Sequence, residues 1–251
     1  MLAALTAMIG VGGIVIAGAG ISGQLMPRRF TAAQRQRIES WDIARRWRTT
    51  PKTKIFPARL RYKLDGGEFG NPGSLALTAR RLGIARQASC RRAAGAGRTL
   101  LTALDRDGCQ AILRATYTDA TSSLVLTVGV AVLGSERGAA SAARLLTGNA
   151  SGGQSRGAQA KRLLLRPLPV PDTPASAFGA KQRQLAWVVG SGSYLVLATA
   201  GYADGRPKVP VASDSYTYME MTSLARGVAA DVAAPLGTPP PVPKCPGAPG
   251  C

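Results

Sequence analysis

The pattern of apolar and polar positions predicts a series of β-strands in the middle and the last third of the chain. Apolar residues alternate with polar ones over 59–64 and 113–117, and Leu75, Leu77 and Ala79 share one face of a further stretch, which is typical of strands with one buried face. The stretch 124–133 is apolar on both faces, so we expect it in the centre of the sheet. The stretch 184–202 alternates on both sides of a Gly-Ser-Gly turn and predicts a hairpin.

Helical spacing of apolar residues predicts helices among these strands. A short helix is expected over 99–105, and Ser135 is a predicted N-cap of an alanine-rich helix. A last helix carries a stripe of Met221, Leu224, Val228 and Val232 and is expected to end at Pro235. Because the strands come mostly in adjacent pairs, the predicted fold class is α+β, an antiparallel sheet with helices packed against it over 55–236.

The N-terminal run 2–26 contains no charged residue, and about 20 residues of helix suffice to cross a bilayer. A retained signal anchor, a cleaved signal peptide ending near Ala17-Gly18-Ala19 and a buried globular helix compete as interpretations. We favour a transmembrane signal anchor over 1–26, because the run is longer than a usual signal-peptide core and no basic segment precedes it. The predicted architecture is thus an N-terminal transmembrane helix followed by the α+β domain.

A basic segment, 27–54, follows this run and predicts a juxtamembrane helix or linker, with Thr31 and Gln34 spaced as a capping box. Arginine and tryptophan together suit the headgroup zone of a membrane. A solvated, charged linker helix is the alternative. The candidates for contact with the membrane surface are Arg28, Arg29, Arg35, Arg37, Trp41, Arg45, Arg46, Trp47 and Arg48.

The four cysteines predict two disulfides, Cys90 with Cys109 and Cys245 with Cys251, although four cysteines permit three pairings. Four unrelated thiols are the alternative. Cysteines in the proline-rich tail, 237–251, fit an oxidising compartment better than a reducing one. The positive-inside rule, applied to the arginines after the anchor, places the bulk of the chain in the cytoplasm instead. We side with an extracytoplasmic location on the cysteine pattern.

Composition excludes several kinds of chemistry. Lys and Arg number 32 against 13 Asp and Glu, a net charge of +19, and histidine is absent. Without histidine there is no Ser-His-Asp or Cys-His hydrolase and no His-ligated metal site. Asp105 with Asp107, and Asp204 before a glycine, are explained first as turns. Tyr202 and Arg206 line a pocket or simply end the hairpin. No catalytic, cofactor-binding or metal-binding residue is predicted.

Lipid is the favoured partner. The uncharged run 2–26 is expected to lie in the bilayer, and the positively charged arginines after it are expected to contact anionic headgroups. Nucleic acid is disfavoured, because no recognised motif is present and aromatic residues are only 5%. A protein partner stays open. Codon bias toward arginine is a further explanation of the charge.

Four segments carry a resemblance: 23–28 (Gly-Gln-Leu-Met-Pro-Arg), 41–48, 201–206 (Gly-Tyr-Ala-Asp-Gly-Arg) and 220–226 (Glu-Met-Thr-Ser-Leu-Ala-Arg). They resemble uncharacterised membrane-anchored or exported proteins of high-GC actinobacteria, of the Streptomyces type. That resemblance implies an extracytoplasmic location and supplies no catalytic residue. The central apolar strand with the helix after it is similar in architecture to small actinobacterial extracellular sensor modules.

Three functions are therefore weighed. The leading one is a single-pass membrane-anchored, extracytoplasmic binding, sensor or structural module of the cell envelope. The second is an envelope enzyme that uses carboxylates or a Ser-Lys pair. The third is a basic adaptor on the cytoplasmic side that binds anionic polymers.

Overall fold

A computed structural model describes residues 29–65, 74–94, 98–148, 152–154, 165–210 and 216–241. The predicted anchor 1–26, Arg28 and the cysteines at 245 and 251 lie outside these residues. The chain divides into two compact units, and the larger one, Asp42–Pro239, contains the sheet. In the described part of the chain, no helix combines the length and the apolar character needed to cross a membrane.

Helices and strands follow one another in the order of an α+β protein. The elements are α1 (Ala32–Thr49), α2 (Lys52–Ile55), β1 (Arg59–Asp65), β2 (Ser74–Ile84), α3 (Cys90–Ala94), α4 (Arg98–Arg106), β3 (Ala111–Thr118), β4 (Leu124–Val132), α5 (Glu136–Thr147), β5 (Gly152–Gln154), β6 (Arg183–Ser191), β7 (Tyr194–Tyr202) and α6 (Tyr216–Gly237). A short 3-10 turn, Ala180–Gln182, leads into β6.

The described strands form one sheet in the order β1-β2-β3-β4-β7-β6-β5, and every neighbouring pair is antiparallel. The prediction of an antiparallel sheet with helices against it is confirmed. The apolar stretch predicted for the centre is β4, which lies between β3 and β7 and has all nine residues buried. A strand that is apolar on both faces can only be satisfied where both faces are covered.

One face of the sheet packs against α6. Met221, Leu224, Val228 and Val232, the predicted stripe, are fully buried in the larger core together with the even-numbered residues of β4. Gly227 allows a close approach, because a Cβ at this position would lie 2.5 Å from the Cβ of Tyr62 on β1. The helix therefore rests directly on the β1 backbone.

The opposite face of the sheet packs against α3, α4 and α5. Ala139, Ala142, Ala143 and Leu146 form the narrow face of α5 that contacts the second core, as the alanine spacing predicted. Ser135 caps this helix, since its side chain accepts a hydrogen bond of 3.0 Å from the Gly138 N–H. Small side chains let the α5 backbone come close to the sheet.

One helix boundary and three short elements differ from prediction. The last helix continues through Pro235 to Gly237, because a proline in a final turn removes only one backbone hydrogen bond. The side chain of Arg46 also bonds carbonyl groups at this helix end. The short helices α2 and α3 and the strand β5 were not predicted. Each has five residues or fewer, too few for a periodic pattern to emerge.

Candidate ligand-binding cleft

A cleft of about 560 Å³ opens where the β3–β4 turn, the end of β7 and the start of α6 meet. Its lining residues are Ser122, Ser123, Leu124, Pro174, Tyr202, Ala203, Asp204, Arg206, Tyr216, Thr217 and Glu220. The volume falls within the range of small-molecule sites, about 300–1,000 Å³. Two segments that carry the resemblance noted above, 201–206 and 220–226, each contribute residues to this lining.

Glu220 is the carboxylate that α6 contributes to the cleft. Burial raises the pKa of Glu220 above its ordinary value, and the charge of Asp119 raises it further. The Tyr62 hydroxyl donates a hydrogen bond to the Glu220 Oε1, at 3.4 Å, and opposes this rise in part. Glu220 is therefore a poorly solvated acid next to a second carboxylate.

Asp119 holds the β3–β4 turn beneath the cleft and is 2% exposed. Its carboxylate accepts hydrogen bonds from the Leu124 N–H, at 2.7 Å, and from the Thr121 N–H, at 3.0 Å. The Ser123 hydroxyl donates to the same carboxylate at 3.2 Å. These bonds stabilise a turn in which Ser122 takes a φ of 60°, a left-handed conformation that few non-glycine residues adopt. The turn therefore presents two serines to the cleft in a fixed position.

Arg206, Asp204 and Tyr202 form the opposite wall. The Arg206 guanidinium lies over the Tyr202 ring, 4.6 Å from its centre, and its Nε donates a hydrogen bond of 2.6 Å to Asp204. The Arg206 hydrogen bonds lower the pKa of Asp204. This wall already binds one cation, its own arginine, with a carboxylate and an aromatic face.

The disulfide between Cys90 and Cys109 is present, with the two Cα atoms 6.4 Å apart. It joins the first residue of α3 to the segment that enters β3. The prediction for this pair is confirmed. The second predicted disulfide, between Cys245 and Cys251, lies outside the described residues, so that pairing stays a prediction.

The predicted membrane-surface residues on α1 point in different directions. Arg46 is turned to the domain: its Nη1 donates to the carbonyls of Pro235, at 2.6 Å, and Thr238, at 2.7 Å, at the end of α6. Trp47 is partly buried against the larger core, as is Ile43. These contacts extend the folded unit upstream of residue 55, where we expected it to begin, to Asp42.

The remaining candidates on this segment are exposed. Trp41 is 60% exposed. Exposed side chains are also found at Arg29, Arg35, Arg37, Arg45 and Arg48, the last of which lies over the Trp47 ring at 4.9 Å. The Thr31–Gln34 capping box is confirmed by the hydrogen bonds Gln34 N to Thr31 Oγ1, 3.2 Å, and Thr31 N to Gln34 Oε1, 2.9 Å. A membrane contact stays a prediction for the exposed members.

Sequence reasoning missed Glu220 and Tyr216 as lining residues of the cleft, and Asp119 as the residue that holds one of its turns. Tyr202 and Arg206 were noted as pocket candidates because they flank a turn, but the helix that faces them starts ten residues later. The nearest signal in the sequence is that Glu220 is an acid close to the buried stripe of α6. No group of residues suited to a metal ion occurs in the part of the chain that the structure describes.

Comparison with known proteins supplies no relative from which a function is transferred. No protein-family model, no curated protein and no solved structure matches the chain. The assignment below therefore depends on the chemistry of the cleft and of the surface alone.

Proposed function

We propose that this protein is a single-pass, membrane-anchored binding module of the cell envelope, with the α+β domain on the extracytoplasmic side and a small organic cation as the ligand of the cleft. The segment 1–26 is the proposed anchor. The observation that carries the proposal is Glu220, a partly buried carboxylate that lines a cleft of ligand size.

The disulfide supports the proposed compartment. Disulfides persist in oxidising spaces and are rare where thiols are kept reduced. Cys90 and Cys109 are bonded, and the described residues contain no free cysteine. Export is consistent with this pairing, whereas a cytoplasmic adaptor would have to keep it against a reducing environment.

Charge supports a cation as the ligand. None of the three ion pairs among the described residues includes Glu220. A carboxylate with a raised pKa is stabilised in its charged form by a cation at about 4–6 Å. A ligand ammonium group would supply that charge, and the hydroxyls of Ser122, Ser123 and Thr217 line the same cleft as hydrogen-bond partners for its remaining groups.

The state of Asp204 favours binding over acid–base catalysis. Glycosidase-type or similar chemistry needs two carboxylates with separate protonation roles. Asp204 is committed to Arg206 through its hydrogen bonds, and its pKa is lowered by them. Glu220 is then the lining carboxylate outside the pair with Arg206, which suits recognition of a charge.

The location is tested with alkaline phosphatase fused to the C-terminus of the full-length chain, because this enzyme is active only after export. We expect an active fusion in the membrane fraction and an inactive one when residues 1–26 are deleted. An inactive full-length fusion, next to an active cytosolic reporter at the same position, would contradict the proposed orientation.

The ligand class is tested by NMR titration with n-butylammonium, with n-butanol as the uncharged counterpart of similar size. We expect backbone amide shifts at 202–206 and 217–220 with the amine and none with the alcohol. Glu220→Gln removes the charge and should abolish the shifts, while Glu136→Gln, at an exposed position on α5, should keep them. Equal shifts with amine and alcohol would exclude a cation as the ligand.

The pH dependence gives a second reading of the same experiment. Glu220 binds the amine as a carboxylate, so binding should weaken as the pH falls through its raised pKa. The stability of the fold depends on pH in the opposite sense. Burial favours the protonated form of Glu220, so the contribution of Glu220 to the free energy of unfolding falls as the pH rises. The Glu220→Gln variant should lose the contribution of Glu220 to both pH dependences, while other acids such as Asp231, whose pKa burial also raises, still contribute to the pH dependence of stability.

A further inference from the structure

The face of the β1–β2 pair that points away from α6 is basic and exposed. Leu60, Tyr62 and Leu64 are buried on one side of β1, whereas the alternate side chains are exposed. Register places Arg80 of β2 directly opposite Arg59. We call the four exposed cations on this side, Arg59, Arg61, Lys63 and Arg80, the basic strand face.

No member of the basic strand face takes part in the ion pairs found among the described residues. One acid acts on the face from α6: the Asp231 carboxylate accepts a hydrogen bond from the Arg61 backbone N–H and is attracted by the charge of Arg61. This single carboxylate leaves most of the positive charge of the four cations in place. Like charges directly opposite each other destabilise a sheet, so the pairing of Arg59 with Arg80 is unfavourable without an anion.

A shallow depression of about 560 Å³ borders this face on the side of α6 and is lined by Arg59, Leu60, Arg61, Thr78 and, from α6, Asp231. Its guanidinium groups and hydroxyl are groups that bind a phosphate. The Asp231 carboxylate repels one, so we expect an anion on the open row of cations rather than inside the depression. Opposite Arg61 and Lys63 stand the small exposed residues Thr78 and Ala76, which leave the face open.

The spacing of the cations favours a chain of anions over a single one. Alternate residues of a strand are about 7 Å apart, so Arg59, Arg61 and Lys63 form a row about 13 Å long. One phosphate group reaches two neighbours in such a row at most, and successive phosphates of an extended polymer reach all of them. We infer that the basic strand face binds a linear phosphate polymer, at a site separate from the cleft and from the arginines of α1.

The experiment measures binding of long-chain inorganic polyphosphate to the full-length chain in a neutral detergent, by calorimetry at several salt concentrations. Arg61→Gln with Lys63→Gln removes two cations of the face. Arg137→Gln with Arg144→Gln removes two exposed cations of α5 and is the matched control. Circular dichroism confirms that both double variants are folded.

We expect the face variant to bind polyphosphate about tenfold more weakly or worse, and the slope of log K against log salt to fall by about 1.4. The control should bind within twofold of the parent chain. If both variants bound polyphosphate equally weakly, the effect would come from net charge alone and the inference would be overturned. The inference would also be overturned if orthophosphate competed as effectively, per phosphate, as the polymer does. A further contrary outcome is a face variant that no longer binds vesicles of anionic lipid but binds polyphosphate as the parent chain does. A face variant that self-associates but binds normally would overturn it too, because the cations would then only protect the edge strand.

Discussion

The hydroxyl of Tyr194, on strand β7, donates a hydrogen bond to the backbone carbonyl of Ile43 on helix α1. The same hydroxyl accepts a hydrogen bond from the Trp47 N–H, at 3.2 Å. In an uninterrupted helix these two backbone groups bond to each other, four residues apart. A side chain of the sheet therefore bonds to both groups of one step in the hydrogen-bond ladder of α1 and fixes the second half of that helix on the domain.

Replacement Tyr194→Phe removes the hydroxyl and keeps the ring. The Ile43 carbonyl and the Trp47 N–H lose this partner but keep each other, four residues apart in the helix, so we expect the free energy of unfolding to fall by only about 0.5–1.5 kcal/mol. Tyr194→Ala also opens a cavity and should cost about 3–5 kcal/mol. Urea denaturation measures both, and equal losses in the two variants would show that the helix does not keep its own bond.

Arg46 bonds carbonyl groups at the end of α6, where a helix leaves most of its last carbonyls without a partner in the next turn. Its guanidinium bonds the Pro235 and Thr238 carbonyls and forms an ion pair with Asp42 at 2.8 Å. Arg46→Met keeps the apolar stem and removes these bonds, so we expect a loss of about 1–3 kcal/mol in the free energy of unfolding.

Arg35→Met, at an exposed position of the same helix, is the control and should stay within about 0.5 kcal/mol of the parent chain. Trp47 fluorescence reports where the helix lies. A red shift of the Trp47 emission in Arg46→Met with an unchanged free energy of unfolding would contradict our expectation, because it would show that α1 leaves the domain without destabilising the fold.

The disulfide closes a loop between residues 19 apart in the sequence. In the chain-entropy model such a loop stabilises the fold by about 3 kcal/mol. Denaturation with and without a reductant, compared with Cys90→Ser/Cys109→Ser, measures this difference. The double variant should be insensitive to the reductant, and a reductant effect that persists in it would have to come from the cysteines at 245 and 251.

Three buried tyrosines predict a loss of stability in alkaline solution. Burial raises the pKa of Tyr62, Tyr117 and Tyr194 above the ordinary value. Unfolded tyrosines ionise near pH 10, so the stabilisation is complete below about pH 10 and is lost as the pH rises further.

The control for the alkaline transition is Tyr117→Phe, which removes one phenol together with its 3.0 Å hydrogen bond to the Pro57 carbonyl. This variant should be less stable at pH 7 but lose stability less steeply between pH 10 and 12. An equally steep loss would mean that another group, such as a lysine, governs the transition.

Gly227→Ala tests the close contact of α6 with β1. Alanine favours a helix over glycine by about 1 kcal/mol. The added Cβ would lie 2.5 Å from the Tyr62 Cβ, and overpacking of this kind costs about 1–3 kcal/mol. We expect net destabilisation in thermal unfolding. Gly138→Ala, on α5, has its nearest neighbours at 3.3 Å and should be close to neutral.

Much of the fold follows from local patterns in the sequence. The strand β4 was predicted because an apolar run of this length needs cover on both faces, and the α6 stripe because helical spacing places its residues on one side. The Cys90–Cys109 pair followed from proximity in the sequence. In each case the physical cause acts within one element or a short loop.

The cleft and the docking of α1 were decided by the tertiary structure. Glu220, Leu124 and Tyr202 come from three separate elements, and only the packing of α6 beside β4 and β7 brings them together. Arg46 and Trp47 fit a membrane surface by composition, yet long-range contacts turn both to the domain. A side chain's type is fixed by the sequence, while its solvation and its neighbours arise only when distant segments pack, because burial and charge interactions depend on distance in space.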